Sequence, residues 1–174
     1  MKIYNKICKF VLLGLGIINI ILSFVPFGRV DWYKNFYDFF YGKKDGVYTA
    51  HLYENNFLGT MFFIFNILIV IALVVIIILN YAKKKEIQIL DLIINFVTVL
   101  TGLFGIIAPF TAKEYIVSKI DGFEAAGGRI AVSQFTSSGV ASLDTILYLS
   151  IFMIQLAVVS IVFTIILKNK QKEA

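Results

Sequence analysis

One cysteine, Cys8, stands in the whole chain, so no intrachain disulfide can staple it. It precedes the first apolar run, whereas a lipoprotein's acylated cysteine would follow one, and it reads as an incidental thiol. One histidine is present, His51, near Glu54. A metal centre needs several ligands, and no His or Cys cluster supplies them. Charged residues make up 16% of the chain, below the roughly 25% of an ordinary soluble domain. No Gly-x-Ser-x-Gly, His-Glu-x-x-His or paired intramembrane acids occur. Gly127-Gly128 lacks the strand-to-helix setting of a phosphate cradle and reads as a turn. Asp144 reads as a cap or interface residue. These absences predict a protein without enzymatic activity, cofactor or metal. The net charge of +5 is not gathered on a recognition helix, so no nucleic-acid partner is expected.

Apolar residues fill the space that charge leaves. They make up 59% of the chain, with a mean hydropathy of +0.86, more than a soluble core of this size can hide. Four segments can each cross a bilayer, which takes about 20 residues per helix. They are Phe10 to Pro26, Phe57 to Leu79, Leu92 to Ala112 and Thr145 to Leu167. The first follows a basic N-terminus as a signal peptide would. No small-x-small cleavage site follows it, so it is expected to stay as a span. The fold class is therefore an all-α integral membrane protein, one domain over residues 1–174. Its four transmembrane helices form an antiparallel bundle, and its first partner is the lipid bilayer.

Lysine placement sets the expected topology. Lys2, Lys6 and Lys9 precede the first span. Lys83, Lys84 and Lys85 lie in the loop 80–91, and Lys168, Lys170 and Lys172 follow the fourth span. Loops 27–56 and 113–144 balance their charges. Basic residues near span ends favour the cytoplasm, which puts both termini inside a cell membrane and both long loops outside. The richness in Lys, Asn, Ile, Phe and Tyr suits an AT-rich bacterial genome.

The first outer loop holds "DWYKNFYDFFYG", seven aromatic side chains in twelve positions, residues 31–42. Wound as a helix at about 100 degrees per residue, it gathers Asp31, Lys34, Asn35, Asp38 and Gly42 on one arc. The aromatics take the rest. Asp31 with Lys34, and Lys34 with Asp38, can pair at that spacing. The expectation is an amphipathic aromatic helix in the headgroup layer. The alternative is a β-hairpin, with residues 36–42 and 47–53 as strands turned at Asp45-Gly46. Under either geometry Trp32, Phe36, Tyr37 and Phe40 are candidate partner-binding residues, because aromatics concentrate at binding hot spots.

In the second outer loop, "EYIVSKI" and "RIAVSQF" read as two short strands, a small extracellular β element, and Ser137-Ser138-Gly139 as a flexible lead into span four. Within the spans, small and polar residues recur at steps of three and four. Gly16, Asn19, Ser23 and Pro26 do so in span one. Asp91, Asn95, Thr98, Gly102, Gly105 and Pro109 do so in span three, and Ser150, Met153, Ala157, Ser160 and Thr164 in span four. Gly59, Asn66, Leu73 and Asn80 recur every seven in span two. Such stripes let helices approach and hydrogen-bond. Asn66 and Gln155 are read as glue between helices. Asp91, with Asn95 and Thr98 deeper, is either a proton or cation site or a helix-start aspartate favoured by the dipole and neutralised by Lys83 to Lys85.

Four spans, a larger first outer loop and possible outer strands give an outline similar to claudin-like tetraspan proteins. The loop signature of that family, a Trp followed by Gly-Leu-Trp and two cysteines, is absent; Trp32 stands alone and the outer loops hold no cysteine. The shape carries no function with it. The expected function is a non-enzymatic tetraspan that serves as accessory subunit or partner of another membrane or surface protein. The alternative is a small transporter or channel subunit, a homo-oligomer using the polar stripe of span three.

Overall fold

The computed structural model describes residues 2–54, 56–83, 88–125 and 130–172. The chain runs α1 (Lys2–Ser23), β1 (Pro26–Tyr33), α2 (Phe36–Phe40), β2 (Gly46–His51), a 3-10 turn (Leu52–Glu54), α3 (Phe57–Lys83), α4 (Gln88–Ala125), β3 (Ile130–Phe135) and α5 (Ser137–Lys172). Four of these helices are long and apolar enough to cross a membrane, over Ile3–Ser23, Phe57–Asn80, Ile89–Ala112 and Ser137–Ile166. α1 packs on α3 and α5, and α4 packs on the same two, which closes a ring. Contacts of Tyr4 with Phe163, and of Lys9 with Asp91, put the starts of α1 and α4 at one end with the end of α5. The sheet occupies the other end.

Expected spans two, three and four each sit inside a longer helix, whereas the first runs three residues past the end of α1. Span one stops at Ser23 because Pro26 opens β1; proline carries no N–H for a helix interior and biases the residue before it toward extended backbone. α4 runs 13 residues past Ala112, which corrects the reading of "EYIVSKI" as a strand. Ala112 and Ile116 are buried and Ile120 packs on the same core. Their spacing of four is a helical stripe, and the alternation was only local. "RIAVSQF" does supply β3. Ser137-Ser138-Gly139 is the first turn of α5, not a flexible lead. The Thr136 hydroxyl accepts from Gly139 N at 3.0 Å, the bond that caps a helix start. Gly127-Gly128 lies outside the described residues, as do Lys84 and Lys85.

Along the four helices polar side chains lie inside, beside buried Leu12, Ile69 and Leu73, while much large apolar surface faces out. Asn19, Asn66, Asn95, Thr98, Ser150 and Ser160 are buried, while Ile71, Ile78, Phe96, Phe110, Phe152 and Val162 face outward. Hydrophobic driving force in water would reverse this arrangement. Gln155, read with Asn66 as glue between helices, differs from it. It is exposed, so it is not glue between these helices. It lies two residues from Met153 and from Ala157, both fully buried, and two residues turn a helix through about 200 degrees, onto the opposite face.

β1 is the middle strand of an antiparallel sheet ordered β2-β1-β3. Arg29 opposes Thr49 and Trp32 opposes Gly46 on one side; Gly28 opposes Phe135 and Tyr33 opposes Ile130 on the other. This overturns the single amphipathic helix over residues 31–42. Backbone ladders on both sides of β1 outweigh a local helix that is marginal at that length. The alternative hairpin is half right. Residues 46–51 form a strand, but its partner is β1, and residues 36–40 are helical. α2 keeps one turn because Asn35 caps it, accepting from Asp38 N at 2.9 Å. Gly42 ends it in the left-handed region at φ 69°, which glycine adopts without a Cβ clash.

The sheet is seated on the helices through Gly139, where an added Cβ would strike the backbone of Phe27 and the carbonyl of Pro26. Backbone cannot swing aside as a side-chain tip can. Gly139→Ala is therefore expected to cost about 1–3 kcal/mol of stability. Gly14→Ala meets nothing within 4 Å and serves as control; thermal unfolding of both purified variants measures the difference.

Candidate functional site

Two regions hold the residues that sequence reasoning singled out. The first is a polar layer inside the helix ring, near the end that carries the starts of α1 and α4. Lys9 Nζ donates to Asp91 Oδ2 at 2.6 Å, and the two side chains are only 5% and 1% exposed. Beside them Ser160 Oγ donates to Asn5 Oδ1 at 2.9 Å and accepts from Asn95 Nδ2 at 3.0 Å. Asn95 also donates to the Asp91 carbonyl at 2.8 Å, and Thr98 to the Ile94 carbonyl at 2.8 Å. Asp91 does lie in the first turn of α4, as the helix-start reading has it. It is buried, and its countercharge comes from α1.

A second, deeper group lies where small residues let the helices close. Asn66 Nδ2 donates to the Phe62 carbonyl at 2.8 Å. Asn19 Nδ2 donates to Met153 Sδ at 3.0 Å. Gly105 meets Ser150 and Phe62, and Gly102 meets Ile154. Asn19 Oδ1, Asn66 Oδ1, Ser150 Oγ and Asp91 Oδ1 are buried without a hydrogen-bond partner among the described residues, and such groups are costly where water is excluded. Lys9 and Asn5 were missed as members of this layer, whereas Ser160 was already read as part of the stripe of span four. Lys9 read as a topology charge; the signal available was its position at the fourth residue after Asn5, on the same helix face.

The second region is the aromatic tip. Tyr33, the last residue of β1, packs edge-on against Phe39 at 5.1 Å and anchors α2. Phe36, Tyr37, Phe40 and Tyr41 remain more than half exposed. Trp32 does not join them. It lies on β1 with its indole over Gly46. β1 packs on the overhang of α4, with Gly28 against Ile116, and its last residue, Tyr33, pairs with Ile130 at the start of β3. Tyr48 and Tyr115 share a 2.9 Å hydroxyl bond, and Lys119 sits 5.5 Å and 5.2 Å from their ring centres. Burial, then the Tyr115 hydroxyl, pushes the Tyr48 phenol up. His51 Nδ1 lies 2.9 Å from Glu54 Oε1; among the described residues no His, Cys, Asp and Glu cluster fit for a metal is formed.

No protein-family model matches this chain, and no curated protein or solved structure matches it.

Two outcomes follow for the charged groups. Removing one partner of a buried ion pair strands the other, at about 3–5 kcal/mol. Asp91→Leu and Lys9→Met are each expected to lose stability on that scale. The double variant Lys9→Met with Asp91→Leu should recover most of it, and a double-mutant cycle on unfolding reads the coupling. In the sheet, Asp31 bonds Arg29 and Lys44, each at 2.7 Å, and not Lys34. Burial opposes the charge of Asp31, but the bonds and charges of Lys44 and Arg29 prevail and hold its carboxyl below the usual range. Its stabilisation is complete above the ordinary carboxylate value of about 4 and is lost as pH falls through the lower folded value. Acid titration followed by the fluorescence of Trp32, the one tryptophan in the chain, should show this step. Asp31→Asn should lack it.

Proposed function

We propose that this chain is a multi-pass membrane protein, both termini cytoplasmic, whose sheet and aromatic tip stand outside and bind another membrane or surface protein. The apolar exterior and buried polar side chains of the four helices support the membrane setting. Lipid accepts their apolar exteriors, and small and polar interiors satisfy one another. The lysines in the first half of α1, at and after the end of α3, and at the end of α5 support the orientation.

The observation that carries the accessory role is the cluster of Phe36, Tyr37, Phe40 and Tyr41, exposed on the short helix that follows β1. Exposed aromatic groups of this density mark contact surfaces. The second reading, a small transporter or channel subunit, draws on the buried polar atoms that lack partners among the described residues. Against it, the charge of Asp91 is answered by Lys9 and not left for a mobile ion.

The test is extraction in native lipid, followed by sizing and mass spectrometry of what co-purifies. A stoichiometric partner is expected with the unaltered chain, and its loss with Phe36→Ser and Phe40→Ser combined, while membrane insertion stays intact. Absence of a partner, or retention of one by that variant, would move the weight to transport.

A further inference from the structure

Gln155 poses a problem that the single chain leaves unsolved. It is exposed on α5, ten residues, or about 15 Å at the helical rise, from Thr145, and a little further from Leu167. If α5 spans a bilayer, that is its middle, where lipid offers an amide neither donor nor acceptor. The side chain is also too short to reach an interface from there.

The residues around it form a seam. Tyr148, Phe152, Gln155, Val159, Val162 and Ile166 recur at steps of four, three, four, three and four, and all face outward. They lie opposite the stripe of Ser150, Met153, Ala157, Ser160 and Thr164 that packs inside the ring. A period of 3.5 residues with β-branched side chains and one amide is the pattern by which two helices cross at a small left-handed angle, the amide fixing the register.

We propose that this face of α5 is the contact between two copies of the chain, related by a two-fold axis along the membrane normal. The occupant is a second copy because the seam complements itself. Two chains inserted the same way round present parallel α5 helices, and a two-fold axis brings Gln155 to Gln155. An amide both donates and accepts, so each then satisfies the other. The inference rests on the membrane reading but not on the aromatic tip, which stands at the other end of the chain's sheet.

The experiment uses the full chain with Cys8→Ala, reconstituted in liposomes, carrying single cysteines for oxidative cross-linking. Phe152→Cys and Val159→Cys are expected to give dimers, and Ala157→Cys, buried inside the ring, none. Adding Gln155→Leu should cut the cross-linked fraction roughly three- to tenfold at limiting protein density, the range that an intramembrane side-chain hydrogen bond supplies. Gln155→Asn, which keeps the amide, should retain most of it. An inserted chain that stays monomeric, or cross-links indifferent to Gln155→Leu, would overturn the dimer while leaving the membrane reading in place. Cross-linking of the same cysteines to a different protein in native membranes would overturn it too. A chain that fails to partition into the liposomes would instead overturn the membrane reading, and the dimer with it.

Discussion

One hydroxyl holds three helices together. Ser160 on α5 accepts from Asn95 of α4 and donates to Asn5 of α1, and the Lys9–Asp91 pair joins the same two neighbours alongside it. In an apolar surround such groups have no solvent to fall back on, so each must find its partner within the chain. The geometry of the ring follows. α1, which precedes the sheet, is tied to α4 and α5, which flank β3, and the polar stripes can satisfy each other only in one register. Packing of small residues then fills the depth, with Gly105 against Ser150 and Phe62.

The chain changes its burial rule part-way along. Between the helices the interior sets a polar stripe beside an apolar cluster of Leu12, Ile69, Leu73 and Met153, and the exterior is apolar. At the sheet end the order is the familiar one: Phe27, Val30, Ala50 and Leu52 are buried together with Ile116, and Asp31 meets Arg29 and Lys44 at the surface. The overhang of α4 past Ala112 is where one rule gives way to the other, since its Ile116 faces the sheet core while Lys119 covers Tyr48 and Tyr115.

Much of this was legible in sequence. Hydropathy marked the four long helices because each apolar run exceeds what a soluble core element needs. The steps of three and four marked Asn95, Thr98, Ser150 and Ser160 as one-sided. What escaped was set by partners distant in sequence. Residues 31–33 carry a fair helical arc, yet they form a strand because residues 46–51 and 130–135 supply ladders that no local pattern reveals. Asp91 was placed at a helix start, but its countercharge comes from 82 residues earlier. Gln155 was read as glue between helices by its residue type and depth; its phase around α5 puts it outside.

The central place of β1 has a consequence for how the molecule is made. Its first partner, β2, follows within a short stretch of chain, but its second, β3, is synthesised only after α3 and α4. Until then one edge of β1 stands open, with main-chain donors and acceptors ready to template another strand. Closing that edge joins segments about a hundred residues apart, the kind of pairing that loop-closure entropy delays. By the time β3 is made, three long helices, α1, α3 and α4, already stand beside a half-built sheet. The Thr136 hydroxyl that caps α5 also donates to the Pro26 carbonyl at 2.7 Å, so one side chain ties the sheet's seat to the start of the final helix.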